Sequence, residues 1–115
     1  MHSIACCPTI NINLAGDVKN KQGSREGVYV HNGTINGRDY WVKVGGGNAM
    51  WYYPRYKHWL IGPEKVLGSE NSAISSVEDL ESTCPHNLKN NWIYFDEGWI
   101  STNDVELLCI GNQSY

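Results

Sequence analysis

The chain reads as an all-β protein: a single antiparallel β domain, whether meander, sandwich or small barrel, stapled by disulfides and carrying at most one short helix. Three observations predict this. About seven short β-branched and aromatic runs recur at roughly 8–12-residue spacing. Twelve glycines and four prolines punctuate the 115 residues between them. Four cysteines, Cys6, Cys7, Cys84 and Cys109, lack metal-ligand spacing. The length suits one domain spanning residues 1–115, too small to bury a large core without cross-links.

The elements follow in order. Ile10 to Leu14 alternates apolar residues with Asn, as a half-buried strand does. Asp17 to Glu26 is polar and reads as a loop. Gly27 to His31 is β-branched and aromatic, hence a strand. Asn32-Gly33 and Asn36-Gly37 are both turn dipeptides, because Asn and Gly tolerate positive φ. Arg38 to Val44 alternates again, so residues 27–44 form a hairpin closed near Asn36-Gly37. After the Gly45-Gly46-Gly47 turn, Ala49–Tyr53 and Lys57–Gly62 are strands ended by Pro54 and Pro63. Residues 64–90 are polar without sustained period. Ser76-Val77-Glu78-Asp79 there suggests a capping box, with Ile74, Val77 and Leu80 on one short helical turn. Asn91–Asp96 and Gly98–Ser101 form a further hairpin, and Val105–Ile110 the last strand.

The cysteines speak to compartment. Adjacent Cys6 and Cys7 are strained as a mutual pair, so each is expected to reach a distant partner. Four cysteines allow three pairings. Cys7 precedes the first strand and Cys109 lies in the last, which favours Cys7–Cys109 with Cys6–Cys84 and locks the two terminal strands together. Bridges in a small domain imply an oxidising, extracellular setting. The sequons at Asn32 (Asn32-Gly33-Thr34) and Asn112 (Asn112-Gln113-Ser114) agree with that setting. Met1–Pro8 lacks the apolar core of a signal peptide, so secretion requires a leader outside these residues. A net charge of −3 without like-charge blocks argues against nucleic acid, and no apolar run reaches the roughly 20 residues of a membrane span.

A wider pattern joins these elements. It runs through Cys7-Pro8-Thr9-Ile10, Gly27-Val28-Tyr29, Asn36-Gly37-Arg38-Asp39-Tyr40, Trp51-Tyr52-Tyr53, Trp59-Leu60-Ile61-Gly62 and Leu67-Gly68-Ser69, then Cys84-Pro85, Trp92 with Tyr94, Trp99 and Leu108-Cys109. Over residues 6–110 this resembles a small cysteine-containing module that recurs, often in tandem, in extracellular, mostly uncharacterised proteins of aquatic invertebrates and protists. The resemblance implies secretion and modularity, and no reaction. Cys6 is additional to that pattern.

Functional expectations rest on aromatic residues. Five tryptophans and seven tyrosines stand against one phenylalanine, and both faces of Trp51-Tyr52-Tyr53 carry rings. One core cannot take both faces, so the remainder is expected to form a ligand platform on which sugars stack through their C–H faces. Tyr52, Arg55 and Tyr56 are its centre, with Asn48, His58 and Asp96 to bind hydroxyls and Arg55 stacking between the tyrosines. The expected partner is a glycan or an extracellular protein, with self-association into a matrix, coat or filament as the alternative. Catalytic, metal-ligating and cofactor-binding signatures are missing: there is no nucleophile elbow, phosphate loop or zinc motif, and Asp96-Glu97 with Asn103-Asp104 makes no recognisable calcium loop.

Overall fold

The structure, a computed structural model, describes residues 6–77, 84–88 and 92–110. Its strands are β1 (Thr9–Leu14), β2 (Gly27–Ile35), β3 (Arg38–Lys43), β4 (Asn48–Tyr53), β5 (His58–Pro63), β6 (Ile74–Ser76), β7 (Trp92–Phe95), β8 (Trp99–Thr102) and β9 (Val105–Cys109). One short helix, α1 (Gly16–Gln22), links β1 to β2. The strands make a single sheet in the order β8-β7-β6-β5-β4-β3-β2-β1-β9, with every pair antiparallel.

Chain direction explains how the sheet closes. β8 is antiparallel to β7, and β9 is antiparallel to β1, so β8 and β9 run the same way. Only Asn103 and Asp104 separate them. Together they form one bent strand whose first half pairs with β7 and whose second half pairs with β1. The sheet therefore curls into a nearly closed barrel, the architecture that leaves least free edge.

Local sequence sets the corners. Asn36 and Gly37 both take positive φ (57° and 82°), so the β2–β3 hairpin has the primed turn that suits twisted strands. Asn32-Gly33, expected to be a second turn, is instead a bulge inside β2. The register moves from His31↔Trp41 to Gly33↔Tyr40 and leaves Asn32 unpaired. A bulge accommodates the positive φ of Gly33 without ending the strand.

Inward side chains fill the barrel. Ile10, Ile12 and Leu14 face Tyr29, Trp41, Met50, Tyr52, Trp59, Ile61, Ile74, Trp92, Tyr94 and Leu107 in one cluster. Trp41, Trp59 and Trp92 are essentially inaccessible, and the Trp41 indole donates to the Cys7 carbonyl at 2.8 Å. A second, smaller cluster lies outside the wall. Ala49, Trp51 and Leu60 are covered there by Val66, Leu67 and neighbours from the β5–β6 connection, and Trp51 donates to the Ser69 carbonyl at 2.9 Å. Strand β4 is thus buried on both faces.

The short helix stands elsewhere than the sequence suggests. Asp17–Glu26, read as loop, holds all but the first residue of α1, whose Val18 is buried in the core cluster. One apolar residue among polar ones leaves no periodic signal. The expected helical turn at Ile74–Leu80 is replaced at its start by β6, because Ile74 and Ser75 pair with β5 and β7; its residues 78–80 lie outside the described residues. The disulfides are Cys6–Cys84 and Cys7–Cys109.

Two outcomes follow for stability. Replacing both Cys7 and Cys109 by serine opens a link across a 102-residue separation and is expected to lower urea-measured stability by about 2–5 kcal/mol. The second concerns alkali. The Tyr94 hydroxyl donates to Asp17 Oδ2 at 2.6 Å, and that carboxylate, helped by burial, pushes the phenol's pKa from 10.0 up to about 12. The unfolded chain releases this proton first, so the contact stabilises fully below pH 10 and its contribution is lost as pH rises through about 12. Denaturant midpoints should fall across that window, and less steeply in Tyr94→Phe. Tyr29, raised by its own burial, leaves a residual slope in that variant.

Candidate functional site

With the interior filled, a ligand has the outer wall. An open groove of about 550 Å³ lies there, crossing β5, β6 and β7 from the β4–β5 turn to the β7–β8 hairpin. Register builds it. Leu60↔Ser75 and Ser75↔Ile93 place three outward side chains in one cross-strand row as its floor. Phe95 pairs with Trp99 at the hairpin, and their rings meet edge to face at 5.6 Å as one wall. Tyr56 and residues 70–72 of the β5–β6 connection form the other wall.

The rings in this groove are open to solvent. Tyr56 is 46% exposed, Phe95 47% and Trp99 48%, whereas the other four tryptophans are at most 1% exposed. Tyr56 is held in place by Tyr53, edge to face at 5.1 Å, and by donating its hydroxyl to Glu70 Oε1 at 2.7 Å. That carboxylate raises the Tyr56 phenol's pKa. On the floor, Ser75 Oγ lies 2.8 Å from the Ser76 carbonyl and 3.2 Å from His58 Nδ1. The tautomer of His58 sets which of the two groups donates in the Ser75–His58 contact. The groove offers flat rings, a floor of Leu60, Ser75 and Ile93, and a rim of carboxylate, amide, hydroxyl and imidazole.

Of the five ligand residues expected from sequence, Tyr56 and His58 line this groove and three do not. Tyr52 is corrected: it is 5% exposed, packed inside the barrel edge to face with Trp59 at 5.2 Å. The outward position on that strand belongs to Trp51, which the β5–β6 connection covers. Asn48 is also corrected. It is buried at the opposite end of β4, where its amide donates to the Ser24 carbonyl and its oxygen accepts from Arg25. Arg55 is exposed in the β4–β5 turn but outside the groove lining. The expected cation–π stacking falls to Arg38, whose guanidinium lies 4.0 Å from the Tyr52 ring centre. Asp96, named as a companion, faces Lys21 at 3.8 Å.

The sequence pattern does not single out Phe95, Ile93, Ser75 or Glu70, which also line the groove. Residues 92–95 are apolar on both faces, so alternation could not tell which pair faces inward. Among the described residues, no three His, Cys, Asp or Glu side chains converge as metal ligands, and no helix is long and apolar enough to cross a membrane. Asn112 lies outside the described residues.

No match decides identity. No family model matches the chain, and neither a curated protein nor a solved structure matches it.

The exposure pattern has a direct optical signature. Iodide or acrylamide quenching of native fluorescence should reach a single tryptophan class, and Trp99→Phe should abolish it while leaving the shielded emission of the four buried indoles.

Proposed function

We propose that this chain is a secreted, non-catalytic binding module that takes a glycan in the groove between Tyr56 and the Phe95–Trp99 pair. The observation that carries this reading is the trio of half-exposed rings around one groove in a protein that buries its other tryptophans. Pyranose rings present apolar C–H faces to such surfaces, and their hydroxyls suit Glu70, Asn71, Ser72 and His58 at the rim. The rings are braced by neighbouring side chains rather than free, which lowers the entropy cost of binding. Two disulfides support the extracellular assignment.

A structural or adhesive role is the second reading. It is favoured by exposed Val30, Leu108 and Ile110 around β9, β1 and β2, on another part of the wall. Sedimentation velocity separates the two, since assembly through that surface gives concentration-dependent mass and binding in the groove does not.

The test of the first reading is a glycan array followed by calorimetry on the best ligand. Trp99→Ala and Tyr56→Ala are each expected to weaken binding about 5–150-fold, the ~1–3 kcal/mol of a lost stacking ring, with little change in melting temperature. Tyr52→Ala should instead destabilise the barrel. Groove variants that bind every glycan ligand like the parent would refute the assignment.

A further inference from the structure

The bulge in β2 has chemistry that the groove does not use. It extrudes Asn32, the first residue of Asn32-Gly33-Thr34, into solvent. Across the ladder, Tyr40 pairs with Gly33. The Tyr40 ring lies so close over Gly33 that a Cβ there would sit 3.3 Å from its Cε1. The Tyr40 hydroxyl accepts a hydrogen bond from Asn32 Nδ2 at 3.1 Å. The Asn32 side-chain nitrogen, the atom that would carry an N-linked sugar, is therefore already held at the rim of an aromatic ring.

We propose that Asn32 carries an N-linked glycan whose first sugar packs on the ring of Tyr40. In the attachment step, Asn32 Nδ2 bonds to the anomeric carbon of an oligosaccharide carried on a polyprenyl pyrophosphate. The anomeric C–O bond breaks, the pyrophosphate leaves with the electron pair, and the amide gives up one proton. The amide keeps its second hydrogen. A hydrogen bond to Tyr40 therefore remains available after modification. The apolar face of an N-acetylglucosamine can then pack on the Tyr40 ring, and Gly33 contributes no side chain to obstruct it. Strand β4 stands between Tyr40 on β3 and β5, where the groove begins, so the attachment site lies apart from the groove.

The chain should be secreted from a eukaryotic host in an Asn112→Gln background, which leaves Asn32 as the tested sequon. Intact mass should show one N-glycan, lost in Thr34→Ala. Trimming with an endoglycosidase leaves a single sugar, and that form should melt about 4 °C or more above unglycosylated Thr34→Ala, in line with one good ring contact in a domain of this size. The same comparison in Tyr40→Phe, which keeps the ring, should preserve the shift. In Tyr40→Ala it should vanish; each background supplies its own unglycosylated reference, so any loss of packing cancels. An unoccupied Asn32, or an equal shift with and without the Tyr40 ring, overturns the proposal.

Discussion

The pairing of the first strand with the last is the constraint on which this protein depends. β1 sits between β2 and β9, and only its contact with β9 turns an eight-strand meander into a barrel. The ladder joins residues nearly a chain length apart, so loop closure must be met before the contact contributes. The Cys7–Cys109 bridge removes most of that cost by tying the strand ends where Ile10 faces Cys109. Without the closure, Ile10, Ile12 and Leu14 would lose the surface they pack against.

Closure also decides where function can reside. A barrel this narrow is filled by its own side chains, and three indoles with Tyr29, Met50 and Tyr52 occupy the axis. Recognition is displaced to the outer wall, where the long β5–β6 connection covers Trp51 and Leu60 and then ends as one bank of the groove. The same segment therefore completes a second core and shapes a surface. Glu70, which braces Tyr56, and Ser69, which accepts from Trp51, are adjacent in sequence.

Much of the fold was legible because strand alternation and Asn-Gly turns are local signals. Ile10–Leu14, Arg38–Val44 and the Asn36-Gly37 corner belong to this kind. The cysteine map was legible from a topological idea, that adjacent cysteines need separate partners and terminal strands profit from a bridge. What escaped depends on distant chain. β6 has three residues and exists because two neighbours hold it. α1 is a polar segment anchored by Val18 and by contacts from Asp17 and Gln22 to β7. The site was half legible for the same reason. Tyr52 and Trp51 are equivalent in pattern, and only the covering connection determines that both are buried, leaving exposure to Tyr56 and to a hairpin more than thirty residues away.

The adjacency of Cys6 and Cys7 gives the oxidised chain a proofreading property. If Cys6 rather than Cys7 captured Cys109, β1 would slide by one position against β9. A one-residue slip in a strand exchanges its two faces, so Asn11 and Asn13 would enter the barrel while Ile10, Ile12 and Leu14 met water. Such an isomer has the same number of bridges as the native one but lacks the three apolar residues that β1 gives the core. Its sulfurs stay accessible to thiolates, and exchange can recycle it. In the native isomer Cys6, Cys7 and Cys84 are each less than a tenth exposed. Correct packing thus shelters the bonds that correct register made, and the protein sorts its disulfide isomers by which of them can hide.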